Sequence, residues 1–149
     1  MTTEAVAPGA VWSAALHAEV QQFYAHQMQR LDLGEARAWS LTFTEDAVFD
    51  VPTLPEPVRG RAGLVASARR ARAQLEAAGE RHRHVLGMLD VRPLPDGTVA
   101  VRAYAVVYAT PVGGASRVHR MCVCEDVLVR GTHGGLLVAH RVVTRDDLP

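Results

Sequence analysis

The chain has 149 residues and not one lysine, asparagine or isoleucine. All 16 of its basic residues are arginine. The three missing types share AT-rich codons, while Ala, Val, Arg and Gly abound, so the gap reads as the mark of a GC-rich bacterial genome. Its chemical consequences are exclusions. Without lysine there is no Schiff base and no Gly-x-x-x-x-Gly-Lys phosphate loop. Without asparagine there is no amide ligand or oxyanion donor of that type, and no Asn-linked glycan. No apolar run approaches the roughly 20 residues of a membrane helix. The start of the chain lacks the basic residues and apolar stretch of a signal peptide. The formal net charge is +0, which argues against a nucleic-acid footprint. Only two cysteines occur, Cys122 and Cys124, at i and i+2 of a strand-like run. Such neighbours do not normally bridge, so free thiols and a cytoplasmic location are expected.

What is present suits one globular domain. Hydrophobic residues make up 48% and charged residues 21%, enough to bury a core and solvate a surface. Residues 1–10, with Pro8 and Gly9, read as a loose arm, and 11–149 as a single domain. Trp12, Leu16, Val20, Phe23, Tyr24 and Leu31 follow helical spacing up to Asp32 and Gly34. Ala36, Trp39 and Phe43 suggest a second short helix, and Ala47–Val51 a strand. Three prolines make 52–57 a loop. A third helix, about Ala62–Ala78, ends at Gly79. Four strand runs follow: Arg83–Val91, Thr98–Ala109, Arg117–Arg130 and Leu136–Thr144. Asp96-Gly97, Gly113-Gly114 and the 131–135 stretch mark hairpin turns. The order is α+β. Three helices would pack on a strongly curved, mixed or antiparallel sheet, forming a cone with one open mouth, the default ligand site.

Several side chains could carry chemistry. His82 and His84 share a strand face, with Leu86 and Met88 beyond them. They could contribute to a metal site completed by His119 or Glu125, but the spacings offer no convincing ligand set, and no metal or other cofactor is expected. One of them could be a general base in an apolar cone. Or they could be a solvated strand start and a hydrogen-bonded core histidine. Asp32 ends a helix, where the dipole disfavours an acid. Locally it reads as a loop-capping residue, the N-cap of the second helix. Tyr24 reads as core with its hydroxyl at the surface. His119 alternates with Met121, Val123, Glu125 and Val127, and Cys122, Cys124 and Asp126 occupy the other face. The spacing leaves open which face lines the cone. Arg69, Arg70 and Arg72 read as a solvated helix stripe. No serine lies in a Gly-x-Ser-x-Gly elbow.

Taken in order, these segments resemble the SnoaL-like branch of the nuclear transport factor 2-like superfamily. The resemblance spans about residues 14–147. It rests on Phe23-Tyr24 with Leu31-Asp32, on Trp39 with the Phe43–Phe49 run, and on Gly60-Arg61. Arg83-His84-Val85-Leu86, Asp126–Arg130 and the 135–141 strand complete it. Departures fall at Gly87, Cys124 and Leu136. The superfamily includes dehydratases, cyclases, isomerases, epoxide hydrolases and non-catalytic subunits, so fold alone leaves function open. Scytalone-dehydratase-like and bile-acid-dehydratase-like members use a Tyr, Asp and His set, which maps onto Tyr24, Asp32 and His84. The resemblance implies a cofactor-independent dehydratase or cyclase of natural-product biosynthesis. Asp32 would orient His84, which would remove a proton next to a carbonyl. Tyr24, Tyr104 or His119 would bond the enolate oxygen. Trp39, Phe43, Leu86 and Met88 would wall in a polycyclic, aromatic polyketide-like substrate. Epoxide opening, isomerisation or a ligand-binding accessory role in the same pocket are the alternatives. The family's habits also imply a homodimer through the outer face of the sheet. The partners expected are a small molecule and a second copy, with no nucleic acid and no membrane.

Overall fold

A computed structural model describes residues 13–149. The expected arm at 1–10 and Trp12 lie outside them. Ser13 opens the first helix, α1 (Ala14–Asp32), and its side chain accepts a hydrogen bond from the Leu16 amide at 3.2 Å. Val20, Tyr24, Gln27 and Met28 recur at helical spacing, and this is the buried face of α1. Helix α2 (Ala36–Ser40) is one short turn. Phe43 lies beyond it as the first residue of strand β1 (Phe43–Asp50), a correction to its expected place in the helix. A two-residue strand not anticipated, β2 (Val58–Arg59), follows the proline loop and pairs with β1. Helix α3 (Gly60–Ala78) stops where Gly79 takes a left-handed φ of 63°.

The remaining strands are β3 (Glu80–Pro93), β4 (Val99–Pro111), β5 (Arg117–Arg130) and β6 (Leu136–Arg145). The sheet order is β2-β1-β6-β5-β4-β3. All pairings are antiparallel except β1 with β6, which run parallel. The α+β architecture, three helices on a curved and mostly antiparallel sheet, is therefore the one expected. Val20, Tyr24, Trp39, Phe43, Leu64, Leu128 and Val138 form the core between the layers.

Register shifts in β3, β5 and β6 decide which side chains enter the concave face. In β3 the register shifts between Gly87 and Asp90, and Met88 takes a φ of 53°. An extra residue in one strand reverses the in–out alternation beyond it. His82, His84 and Leu86 are partly buried. After the bulge Leu89 and Val91 pack on the core, while Met88 is 79% exposed. In β5, Val107 of β4 faces Arg120 and Tyr108 faces Val118, which leaves His119 as the unmatched residue. Its alternation with Met121 is broken there.

Candidate active site

The concave face encloses a cavity of about 1350 Å³. Met28 and Asp32 reach it from α1, Trp39 from α2, Phe49 and Leu54 from β1 and the proline loop. The sheet supplies His82, His84, Leu86, His119, Cys122, Cys124 and Arg141, among others. The inner face of β5 is thus the cysteine face, which alternation alone did not decide.

Asp32 and His84 meet in this cavity although 52 positions separate them in the chain. Asp32 Oδ1 lies 2.6 Å from His84 Nδ1, and Oδ2 accepts from the His84 backbone N–H at 3.0 Å. One carboxylate therefore holds both the ring and its strand. The local capping role expected for Asp32 is corrected: Glu35 is the N-cap of α2, and no side chain bonds there. The unfavourable dipole at Asp32 is offset by the two donors of His84. Arg72 Nη1 also reaches the Asp32 carbonyl at 3.2 Å, which places a cation at the helix end. The Asp32 side chain is 7% exposed and that of His84 29%, so the imidazole remains reachable from the cavity. An ionised carboxylate can only accept, so Nδ1 carries the proton, and in the neutral imidazole Nε2 carries the lone pair.

His82 stacks on His119 with ring centroids 4.7 Å apart, and lies 6.4 Å from the His84 ring. Burial holds the pKa of His82 below the ordinary imidazole value, and His119 and His84 add to the effect. His119 is lowered too, by burial and then by Arg120 and Arg117. Glu80 faces this pair and is tied to Arg117 at 2.8 Å. Among the described residues, no three His, Cys, Asp or Glu side chains converge to hold a metal ion.

The other expected site residues divide. Trp39, Leu86 and His119 line the cavity. Phe43 does not: it is fully buried behind the wall, edge-on to Trp39 at 5.0 Å, and Phe49 takes the lining position. Met88 is carried outward by the β3 bulge. Tyr104 is 48% exposed, on the outer face with Arg102, because β4 alternates around buried Val101 and Ala103. Tyr24 is 3% exposed and its hydroxyl donates to Asp126 Oδ2 at 2.7 Å, away from the cavity lining. Its oxygen is committed to the fold.

That bond belongs to a buried network the sequence reading missed. Arg141 donates from Nε to Asp126 Oδ1 and from Nη2 to Asp126 Oδ2, both at 2.8 Å. Nη2 also reaches Gln27 Oε1 at 2.7 Å. For Asp126 the available signal was a charge on an otherwise apolar strand face, after Cys122 and Cys124; Arg141 is out of phase with Leu136 and Val138, and only the register shift between β5 and β6 turns it to their face. Cys122 and Cys124 are free, as expected, and both are buried. Burial pushes the Cys124 thiol up to about 12 and raises Cys122 as well, which disfavours the thiolate at both positions.

A curved sheet wrapped over three helices around a large cavity defines a cone fold of the nuclear transport factor 2-like class. Residues 12–142 match the SnoaL-like domain family, and the chain belongs to that family. It is similar to a solved protein from Catenulispora acidiphila, at 39% identity and a TM-score of 0.82, covering 90% of this chain and 94% of that one. The same comparison with ActVI-ORFA from Streptomyces coelicolor gives 32% identity and a TM-score of 0.86, covering 92% and 99%. Aln2 from another Streptomyces species is 36% identical with a TM-score of 0.84, covering 92% and 95%. A Catenulispora acidiphila structure has also been solved in complex with S-DNPA. No curated protein matches the chain. Among the described residues no helix is long and apolar enough to cross a membrane.

Proposed function

We propose that the chain is a cofactor-independent dehydratase or cyclase acting on a polycyclic, aromatic polyketide-like ketone. The observation that carries this reading is the 2.6 Å Asp32–His84 contact at the wall of the cavity. Nε2 of His84 takes a proton from the carbon next to a carbonyl, and Asp32 stabilises the imidazolium. In a dehydration the enolate expels a β-hydroxyl. The C–O bond breaks, a C=C bond forms, and the imidazolium returns its proton to the leaving oxygen as water. In a cyclisation the carbanion attacks a second carbonyl and the new alkoxide takes the same proton. Either way His84 ends neutral. Epoxide opening calls for a second inward carboxylate on a water. Asp126 is the candidate, and it is engaged by Arg141, Tyr24 and Cys124.

The family and the Streptomyces relatives support this placement in natural-product biosynthesis. The free thiols fit a reducing compartment such as the cytoplasm. The direct test is hydrogen–deuterium exchange into the carbon next to the carbonyl of 2-tetralone, a bicyclic aromatic ketone. Wild type should exchange it about 100-fold or more faster than His84→Ala. Equal rates would sink the base assignment and leave a ligand-binding subunit as the surviving reading.

A homodimer is part of the same proposal. Val85, Tyr104, Val118 and Met121 are exposed on the outer face of β3–β5, where Val106 pairs with both Val85 and Met121, and Tyr108 with Val118. Met121→Glu should halve the mass seen by sedimentation equilibrium; a wild-type monomer rejects the dimer.

A further inference from the structure

Arg141 is far more buried than a surface arginine, and its side chain is 4% exposed. Nε and Nη2 are fully engaged by Asp126 and Gln27. Gln27 is itself oriented by donating to Thr42 at 2.8 Å, and Thr42 bonds the Trp39 carbonyl at 2.6 Å. The guanidinium lies over the rings of Tyr24 and Phe43, with Cζ 5.8 and 5.4 Å from their centroids. Among the described residues Nη1 has no acceptor, and it is not one of their buried polar atoms without a partner. Arg141 also lines the cavity at its buried end, beside Trp39 and Cys124. One N–H-bearing nitrogen of a rigidly held cation is therefore left over on a residue that lines the ligand space. Burial opposes the charge, but Asp126, Cys124 and Tyr24 together outweigh it and hold the guanidinium pKa above its ordinary value.

Its distance from the dyad is set by α1. Tyr24, Met28 and Asp32 lie four residues apart on one face, so about 12 Å of helix separates Tyr24 from Asp32. Tyr24 marks Arg141, Asp32 marks His84, and Met28 lines the cavity between them. We infer that Arg141 anchors the ligand: Nη1 donates to a carbonyl or phenolate oxygen on the end remote from the carbon that His84 deprotonates. This rests on the reading of the cavity as a site for polycyclic ketones. It fixes which way round such a ligand enters. A fixed donor costs little ordering on binding, and a charged one strengthens as negative charge spreads over a conjugated ring system.

The test uses whole protein labelled with ¹⁵N-arginine and two probes of similar size. One is 2-hydroxy-1,4-naphthoquinone, whose negative charge is shared by its ring oxygens; the other is 2-methylnaphthalene. The quinone should bind about ten- to a hundredfold more tightly and shift the Arg141 guanidinium resonances, while the hydrocarbon leaves them in place. Arg141→Met combined with Asp126→Leu removes both charges and should abolish the preference. If that pair fails to fold, the wild-type resonances still decide. Equal affinities, binding by neither probe, or unmoved Arg141 signals at saturation overturn the proposal. Repeating the titration on His84→Ala separates the two ideas. The anchor should persist there although proton exchange is lost, and loss of the Arg141 shift in that variant also counts against the anchor.

Discussion

Two carboxylates meet two cationic or basic partners along one face of α1, and they have opposite characters. Asp126 and Arg141 are 0% and 4% exposed, and every carboxylate oxygen and all but one guanidinium nitrogen is used within the protein. Asp32 is also sheltered, but His84 is 29% exposed and its second ring nitrogen is unclaimed. The first pair has its protons locked by mutual satisfaction. The second leaves Nε2 without a partner among the described residues, on a side chain that lines the cavity. Burial and hydrogen bonding alone do not separate structure from chemistry; the unused valence does.

That contrast can be broken from either side. The largest effect should come from Asp32→Asn, which leaves the shape but lets Nδ1 lose its carboxylate. Turnover should fall about 10²–10⁴-fold with little change in melting temperature. A variant that keeps its rate would erase the distinction. Next, Arg141→Ala strands a buried carboxylate and should cost about 3–5 kcal/mol. Thermal unfolding should then shift down by roughly 10–15 °C. Tyr24→Phe should cost about 1 kcal/mol, because Asp126 loses one of several donors, and leave the exchange rate nearly unchanged. A large loss of rate with intact stability would restore Tyr24 to the catalytic set.

The smallest effect concerns pH. His82 and His119 have lowered pKa values in the folded state, so below about 6.5 the unfolded chain binds more protons. Stability should therefore fall as pH drops through about 6.5 towards their folded values. His82→Gln should flatten that slope in a series of denaturant titrations; an unchanged slope assigns the dependence elsewhere.

Local periodicity was enough for most of the architecture. Strand β5 begins and ends at the expected Arg117 and Arg130, and α3 stops at the expected Gly79. What escaped was set by distant partners. Asp32 looks like a cap because its neighbours are Leu33 and Gly34; its true partner is on β3. Met88 and His119 follow their strands' alternation in sequence, and only the pairing with β4 creates the bulges that reverse them. Phe43 fits a helical stripe as well as a strand start, an ambiguity that a short apolar segment cannot resolve. The resemblance to SnoaL-like proteins brought Asp32 and His84 together before any geometry did. It also carried Tyr24 along, whose hydroxyl turned out to face Asp126.

The parallel ladder between β1 and β6 joins the first long strand to the last, with Val138 donating to the Thr42 carbonyl at 2.9 Å. Hairpins β3–β4, β4–β5 and β5–β6 can each zip from a short turn. The β1–β6 seam needs the two ends of the domain to find each other, a closure of high loop entropy. It should therefore form late. Helix α2 and β1, which carry Trp39 and Phe49, reach the sheet through that seam. Until it closes the cone has a missing wall, so ligand binding reports completed folding and a tight ligand would act as a pharmacological chaperone for this seam.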